Sequence, residues 1–286
     1  MSRIAYVNGA YVPHQSATTH IEDRGYQFAD GVYEVVALVA GKLLDLDPHL
    51  DRLEYSLNEL QIDNPISRPA LKHIIQNLLQ KNRLQDGMVY LQITRGIAPR
   101  YHEFPANVQP TLVITCRYVC PAKMARVREQ GVKLISLPDT RWARPDIKSI
   151  SLLPNILGKQ KALDNGAYEA ILINRNGHIT ETNSTNFWIM PEEGILQTHP
   201  ASNDILNGIT RQRLIKLVGS LGVKVRQQPF TLIDALRARE AFLSSSVSGI
   251  VPVVQIDDYK IGQGQPGEIV SQLIKGYQQF GKSNEA

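Results

Sequence analysis

The chain has 286 residues, of which 43% are hydrophobic and 20% charged, and its formal net charge is +4 at pH 7. Its length fits one large or two medium domains, and its composition is that of a globular rather than a disordered protein. Basic and acidic residues alternate along the chain, without the basic run that is typical of nucleic-acid binding. Its two cysteines are too few for a disulfide framework or a zinc site, so we expect no metal.

The N-terminus lacks the apolar core of a signal peptide, and no apolar run approaches the roughly 20 residues of a membrane span. The sequence therefore predicts a cytoplasmic protein that binds neither nucleic acid nor membrane.

The first half of the chain combines hairpin and helix patterns. Asn-Gly and Ala-Gly pairs between apolar runs predict tight turns, and apolar residues at helical spacing predict amphipathic helices. In chain order, the predicted elements are hairpins about Asn8-Gly9 and Ala40-Gly41, helices over 50–60 and 71–79, strands at 88–94 and 111–118, and a surface loop at 96–105 between those strands.

The second half adds further strands and three amphipathic helices, without repeats or strict βαβ alternation. The predicted strands are 132–137, 170–173, 186–190, 223–225, 241–244 and 250–256, and the predicted helices are 155–163, 214–221 and 269–274. A proline and several charges make residues 119–128 a candidate linker. We therefore expect an α+β protein with a small N-terminal domain, 1–120, and a larger C-terminal domain, 121–286.

Three polar motifs occur in a fixed order: Glu22–Glu34 (EDRGYQFADGVYE), Asp146–Asn155 (DIKSISLLPN) and Glu169–Asn186, which contains ITETNSTN. Together they resemble the fold-type-IV pyridoxal-phosphate enzymes, which include D-amino-acid transaminases, branched-chain aminotransferases and aminodeoxychorismate lyase. The resemblance extends from residue 6 to about residue 277. It implies two domains with the active site between them, and pyridoxal 5'-phosphate as cofactor.

Lys148 lies among apolar residues, a setting that suits a lysine nucleophile. The resemblance implies that Lys148, carried by the C-terminal domain, forms the Schiff base with the cofactor and then moves a proton during catalysis. It also implies that Glu181 lies beside the pyridine nitrogen and keeps that nitrogen protonated. Thr182 follows Glu181 where the family commonly has glycine, and Val247 stands where the family often has a hydroxyl residue.

The cofactor phosphate requires donors of its own. The resemblance assigns Arg52 to this group, and its planar fork suits a bidentate contact. Ile209 and Thr210 precede an amphipathic helix, where backbone N–H groups and a hydroxyl form a ready anion site. The resemblance also places Ser246, at the end of a strand, near the phosphate.

The substrate site is indicated by Arg100 and His102. An Arg-x-His pair in this loop resembles the D-amino-acid transaminases, in which these side chains and a tyrosine, here Tyr33, bind the substrate α-carboxylate. The resemblance further implies a homodimer, because this loop reaches across from the other subunit in the family. The predicted activity is transamination between a D-amino acid, such as D-alanine or D-glutamate, and a 2-oxo acid.

Three alternatives remain open. An L-branched-chain aminotransferase is expected to have a more apolar pocket without the Arg-x-His pair. Aminodeoxychorismate lyase retains Lys148 and Glu181 but releases pyruvate without an amino acceptor. A non-enzymatic binding protein on the same scaffold has no need to retain Lys148, Glu181 and Arg52 together.

Overall fold

The computed structural model describes the backbone of residues 3–220 and 222–283 and the side chains of residues 3–219 and 222–279. The chain divides into two compact units. The first unit is Met1–Cys120 together with Ile147–Ser151, and the second is Pro121–Asp146 together with Leu152–Ala286.

The first unit is built around an antiparallel sheet in the order β2-β1-β6-β5-β3-β4. Its strands are β1 (Ile4–Val7), β2 (Ala10–Pro13), β3 (Gly31–Val39), β4 (Lys42–Leu43), β5 (Gly87–Thr94) and β6 (Thr111–Tyr118), and its helices are α1 (Arg24–Phe28), α2 (Leu46–Glu59) and α3 (Arg68–Asn82). Both predicted hairpins are confirmed. Asn8 and Gly9 have φ values of 43° and 97°, as a tight turn between β1 and β2 requires.

The core of the first unit lies where α2 and α3 meet the sheet. The two predicted leucine-rich helices are confirmed, and each buries one apolar face. The buried residues of this cluster include Leu53 and Leu57 of α2, Leu71 and Ile75 of α3, and Ile93 of β5. This packing fixes β3, the strand that carries Tyr33.

The segment Ile147–Ser151 runs beside the start of β3. The backbone N–H of Tyr33 donates to the Lys148 carbonyl at 3.0 Å, and the Ile150 N–H donates to the Gly31 carbonyl at 3.0 Å. The sequence placed Lys148 in the C-terminal domain, and the structure corrects this. Because these hydrogen bonds join the segment to β3, Lys148 belongs to the first unit.

The second unit is built around a mixed sheet in the order β12-β11-β10-β13-β14-β7-β8-β9, with β15 paired to β14. Its strands are β7 (Val132–Pro138), β8 (Glu169–Ile173), β9 (Ile179–Thr182), β10 (Asn186–Met190), β11 (Leu196–Thr198), β12 (Val225–Gln227), β13 (Glu240–Ser245), β14 (Gly249–Ile256) and β15 (Tyr259–Lys260), and its helices are α4 (Pro121–Gln130), α5 (Leu153–Asp164), α6 (Ile209–Ser220), α7 (Leu232–Leu236) and α8 (Glu268–Ser283).

Both faces of this second sheet are covered near its centre. Along β10, Phe187 and Ile189 belong to one apolar cluster, while Trp188 and Met190 belong to another. Successive side chains of a strand point to opposite faces, so the two clusters lie on the two sides of the sheet. This arrangement accounts for the continuous apolar run of β10, which is buried throughout.

The predicted linker at 119–128 is wrong. Residues Pro121–Gln130 form the helix α4. Proline is well tolerated as the first residue of a helix, and the alanine, lysine, methionine and arginine residues that follow are strong helix formers.

Within residues 3–220 and 222–283, no helix has both the length and the apolar character needed to cross a bilayer. The same residues contain no group of three or more His, Cys, Asp or Glu side chains that could hold a metal ion.

Candidate functional site

Lys148 and Tyr33 meet in the first unit. The Lys148 Nζ atom lies 4.1 Å from the centroid of the Tyr33 ring. The backbone N–H of Lys148 donates to Ser56 Oγ of α2 at 3.2 Å, which fixes the lysine at both of its backbone polar groups. Lys148 itself is half-buried. The structure therefore presents one amine against an aromatic face, a favourable cation–π arrangement.

Tyr33 is held in turn by Tyr90 of β5. The two rings stack with centroids 5.7 Å apart, and the Tyr90 hydroxyl donates to Gln92 Oε1 at 2.6 Å. Burial, reinforced by Tyr33, raises the pKa of Tyr90 to about 12. Tyr90 therefore remains a neutral phenol that supports the ring next to Lys148.

Arg52, the predicted phosphate ligand, projects from α2 onto Glu34 of β3. Its Nε donates to Glu34 Oε1 at 2.7 Å, and its Nη2 donates to Glu34 Oε2 at 2.9 Å. His49 Nδ1 lies 2.7 Å from the same Oε2. Burial alone would raise the pKa of Glu34, but Arg52 and His49 lower it to about 2. Glu34 is thus an ionised anchor that sets the plane of the Arg52 guanidinium.

Arg100 and His102 lie on the loop between β5 and β6, and both side chains are exposed. Both contact Phe28, the last residue of α1. The Arg100 guanidinium carbon lies 4.9 Å from the centroid of the Phe28 ring, and the His102 ring meets that ring edge-on at 5.7 Å. One aromatic ring therefore brings together the two predicted carboxylate ligands.

Glu181 lies on β9, a strand that the sequence did not predict. A lone carboxylate near a turn is ordinarily exposed, yet Glu181 is only 5% exposed. It pairs closely with Arg141, accepts a hydrogen bond from Asn186 Nδ2 at 3.0 Å, and accepts another from the backbone N–H of Leu206 at 3.2 Å. The second unit thus surrounds one buried carboxylate with donors.

Arg141 is shared between two carboxylates. Its Nη2 also donates to Asp139 Oδ2 at 2.7 Å. Burial raises the pKa of Glu181, Arg141 opposes this, and nearby Asp139 adds to the rise. For Asp139, burial also acts to raise the pKa, but Arg141 prevails and lowers it. Glu181 is consequently a carboxylate whose negative charge is incompletely balanced.

Thr182 occupies the position where the family commonly has glycine. The backbone of Thr182 does not have a positive φ, and its side chain is buried. The hydroxyl pairs closely with Glu169 and lies 2.6 Å from Thr185 Oγ1. A threonine therefore fits here because its hydroxyl has buried partners, and the backbone needs no glycine conformation.

Ile209 and Thr210 form the first turn of α6, and both are buried. The first backbone N–H groups of a helix have no partner within the helix, so this turn presents donors to an anion. The start of α6 closely approaches Asn186, since a Cβ on Gly208 would lie 2.2 Å from Asn186 Oδ1. This close approach links the α6 terminus to the donors around Glu181.

Ser246 lies in the turn between β13 and β14, as its position at a strand end predicted. The turn is braced by Ser248, whose carbonyl accepts from Arg128 Nη2 at 2.8 Å. The Ser245 and Ser248 hydroxyls are 2.6 Å apart. These contacts fix the backbone on either side of Ser246.

Tyr277 of α8 lies close to two elements of this region. Thr210 Oγ1 is 3.4 Å from the Tyr277 hydroxyl. Gly249, which follows the turn, also adjoins Tyr277, with 3.6 Å between its ideal Cβ position and the ring. The tyrosine therefore connects the first turn of α6 with the turn that carries Ser246.

Sequence reasoning overlooked Glu34, Arg141 and Asn186. Glu34 directly follows Tyr33. Its position as a carboxylate within the apolar run of β3 was the signal available in the sequence. Arg141 is separated from Glu181 by 40 positions, and only the pairing of β7 with β8 and of β8 with β9 brings them together. The pattern of the sequence contained no signal for that contact.

The donor set of the described residues fits pyridoxal phosphate. The amine of Lys148 suits an aldehyde, while the guanidinium of Arg52 and the first turn of α6 suit a phosphate. A carboxylate has about four acceptor positions, so Glu181 can accept from a ring N–H in addition to its three protein donors. Nothing in the chemistry of these groups opposes the cofactor.

Comparisons with known proteins point the same way. The family model for amino-transferase class IV matches residues 31–256. The chain is 40% identical over 267 residues to a D-alanine aminotransferase of Bacillus licheniformis, a match that covers 93% of each chain.

Solved structures show the same fold. A branched-chain amino acid aminotransferase of Escherichia coli matches with a TM-score of 0.89 at 23% identity and covers 96% of this chain and 93% of its own. A branched-chain aminotransferase of the archaeon Thermoproteus uzoniensis, solved with norvaline, matches with a TM-score of 0.87 at 22% identity, over 100% of this chain and 96% of its own. At these identities the likeness concerns the fold alone. The family match, which extends over most of the chain, decides membership: the protein belongs to the class IV aminotransferases.

Proposed function

We propose that the protein transfers an amino group between a D-amino acid and a 2-oxo acid. Its cofactor is pyridoxal 5'-phosphate, as in the class IV aminotransferases as a group. The observation that carries the proposal is the Lys148 amine, which lies 4.1 Å from the centroid of the Tyr33 ring. The D-alanine aminotransferases at 40–41% identity support the D-amino-acid class of substrate.

When bound, the cofactor supplies an aldehyde that condenses with amines and a ring that accepts the electron pair released at Cα. Lys148 holds the cofactor through its amine. The Lys148 amine would also move the proton that leaves Cα of the substrate. Tyr33 and the Ser56 hydroxyl orient the lysine for this transfer.

Glu181 would accept a hydrogen bond from the pyridine nitrogen of the cofactor and so keep that nitrogen protonated. Burial raises the pKa of Glu181 and Arg141 is shared with Asp139, so its negative charge is incompletely balanced and makes it a good partner for a ring cation. Arg52, the first turn of α6 at Ile209 and Thr210, and Ser246 hold the phosphate. Each of these groups supplies N–H or O–H donors, the chemistry that an anion requires.

Tyr33, Arg100 and His102 bind the substrate α-carboxylate. The placement of Arg100 and His102 against one Phe28 ring supports this role, because two donors at a fixed separation suit the two oxygens of a carboxylate. A branched-chain aminotransferase is the alternative, and the fold neighbours favour it only at the level of the fold.

Replacement of Lys148 tests the cofactor assignment. We expect Lys148→Ala to lose the visible absorbance of bound cofactor and to lose turnover. Lys159→Ala is a matched control, since Lys159 Nζ also lies over an aromatic ring, 4.3 Å from the centroid of Tyr168. If Lys148→Ala retains both the absorbance and the activity, Lys148 is not the cofactor lysine.

The substrate class is tested by half-reactions followed in the spectrophotometer. D-alanine should bleach the bound cofactor, and 2-oxoglutarate should restore its colour. Bleaching by L-leucine alone moves the function to the branched-chain enzymes. Pyruvate release from aminodeoxychorismate without any 2-oxo acid identifies a lyase instead.

We also propose that the protein is a homodimer. Leu153, Ile156 and Leu157, one turn of α5, are 66%, 59% and 63% exposed in the single chain. A cluster of large apolar side chains on one helix face favours burial against a second copy. Light scattering after size exclusion should show a dimer that Leu157→Glu weakens. Ile233→Glu, at an equally exposed position on α7, is the control and should leave the dimer intact.

A further inference from the structure

The loop that carries Arg100 and His102 needs support from outside itself. Residues 99–105 form neither helix nor strand. Proline occupies both ends of this stretch, at Pro99 and Pro105, so those positions have no backbone N–H group to donate to a neighbouring strand. Fixed positions for Arg100 and His102 therefore depend on side chains that reach the loop from neighbouring elements.

Arg24 is one such side chain. It is only 4% exposed, and its Nη1 donates to the Tyr101 carbonyl at 2.7 Å, midway between Arg100 and His102. Its Nε donates to Asp30 Oδ2 at 2.8 Å, so the carboxylate of Asp30 fixes the plane of the guanidinium. A planar fork of this kind joins two acceptors at defined angles, which a lysine ammonium cannot do.

Asp30 is itself fixed by Arg95. The Arg95 Nε and Nη2 atoms donate to the two Asp30 oxygens at 2.7 and 3.0 Å. Arg95 also donates to the carbonyls of Leu60 and Gln61 at 2.7 and 2.8 Å, which connects it to the end of α2. The loop is thus linked through Asp30 to the helix that packs on the sheet.

Aromatic contacts complete the support. The Arg95 guanidinium carbon lies 3.6 Å from the centroid of the Phe104 ring, which holds the far side of the loop. Phe28 contacts Arg24 at 4.8 Å as well as Arg100 and His102. The ring of Phe28 therefore contacts both the buried arginine and the two exposed carboxylate ligands.

We propose that Arg24 and Phe28 are positioning residues for recognition of the substrate carboxylate, Arg24 through the Tyr101 carbonyl and Phe28 through its contacts with Arg100 and His102. This inference rests on the proposed function, in which Arg100 and His102 bind that carboxylate. Neither Arg24 nor Phe28 touches the substrate. Their effect is to keep two donors at the separation that a carboxylate requires, and small displacements at such positions are costly.

The test compares two substrates that differ in the carboxylate alone, D-alanine and D-alaninamide, in half-reactions of the holoenzyme. Arg24→Lys keeps the positive charge beside Asp30 but loses the planar guanidinium that donates to two acceptors. Phe28→Leu keeps an apolar side chain but loses the flat ring. For both variants we expect kcat/KM for D-alanine to fall by roughly ten- to hundredfold, with the value for D-alaninamide nearly unchanged.

Arg68→Lys is the matched control. Arg68 also joins a backbone carbonyl and a carboxylate, at 2.6 Å from Asp47 O and 2.6 Å from Asp51 Oδ1, but it lies on the surface between α2 and α3. We expect this variant to keep the wild-type ratio between the two substrates. Hydrogen exchange of the 97–105 segment should become faster in Arg24→Lys and Phe28→Leu and stay unchanged in Arg68→Lys.

Equal losses for D-alanine and D-alaninamide would assign Arg24 and Phe28 a merely structural role and overturn the proposal. Unchanged kinetics for D-alanine in Phe28→Leu, which alters no hydrogen bond, would overturn it as well, even if Arg24→Lys failed to fold. Failure of the proposed function is a different result, because the wild-type holoenzyme would then not react with D-alanine.

Discussion

Each unit of the protein buries a glutamate against an arginine, and the two pairs differ in their charge balance. In the first unit, Glu34 has two basic partners, Arg52 and His49, and its pKa is lowered to about 2. In the second unit, Glu181 shares Arg141 with Asp139, and its pKa is raised. Burial acts in the same direction on both carboxylates, and they differ in the partners that oppose it: Arg52 and His49 for Glu34, and an Arg141 shared with Asp139 for Glu181.

Two buried pairs of similar composition can therefore have different roles in the protein. A buried carboxylate with two basic partners is a fixed anchor, and Glu34 accordingly orients Arg52. A buried carboxylate that shares its arginine gains from a further cation. A protonated ring nitrogen of the cofactor is such a cation, which is why the proposed role of Glu181 follows from its surroundings.

The largest effect is expected from Glu181→Gln. In the proposed role of Glu181, loss of its negative charge should lower kcat with D-alanine by about 10²- to 10³-fold, the usual effect of removing one electrostatic contact at a reacting group. Stability of the cofactor-free protein should change by less than about 1 kcal/mol, because Arg141 keeps Asp139 as a partner. Stopped-flow kinetics and urea unfolding of the same preparations measure the two effects. A variant with full activity would remove Glu181 from the site.

Glu34→Gln should instead have a large effect on the stability of the protein. Removal of one partner from a buried ion pair leaves the other charge uncompensated, so we expect the free energy of unfolding at pH 7 to fall by about 3 kcal/mol. Cofactor affinity should weaken because Arg52 loses its orientation. Urea unfolding of cofactor-free protein gives the first quantity and cofactor titration the second. If Glu34→Gln proves less destabilising than Glu181→Gln, the contrast between the two pairs is wrong.

The pH dependence sharpens the same contrast. The pKa of Glu34 is lowered from 4.5 in the unfolded chain to about 2 in the folded one, so its stabilisation is fully present above pH 4.5 and is lost as pH falls towards 2. The stability difference between wild type and Glu34→Gln should shrink over that window. The raised pKa of Glu181 acts with the opposite sign, and stability falls as pH rises from 4.5 through the folded value. Unfolding curves of Glu34→Gln and Glu181→Gln at several pH values check the sign of each pH dependence. Each variant serves as the control for the other.

The smallest effect is expected from Asp139→Asn. This change leaves Glu181 as the carboxylate partner of Arg141 and removes the nearby negative charge, so the pKa of Glu181 should fall. The decline in stability that Glu181 causes as pH rises above 4.5 should therefore end at a lower pH in the cofactor-free protein. Asp257→Asn, at a carboxylate that bonds Ser136 instead, serves as the control. A shift to higher pH would contradict the sharing of Arg141.

Local patterns in the sequence predicted most of the fold. The apolar periods of α2, α3 and α6, the alternation in the strands, and the turn residues at Asn8-Gly9 report short-range preferences that the tertiary structure left in place. The order of three motifs indicated the family, since spacing and residue type are properties of the sequence itself. The assigned roles of Lys148, Glu181, Arg52 and the carboxylate ligands stay predictions that the experiments above address.

Contacts between distant segments were decided only by the tertiary structure. Lys148 joins the first unit because its segment bonds to β3, Arg141 reaches Glu181 across 40 positions, and Arg24 reaches Tyr101 across 77. Such pairs leave no periodic signal, because an arginine buried against a carboxylate and an exposed arginine look alike in the sequence. The sequence determined which chemical groups the protein has. The packing within each of its two units decided which of those groups contact one another.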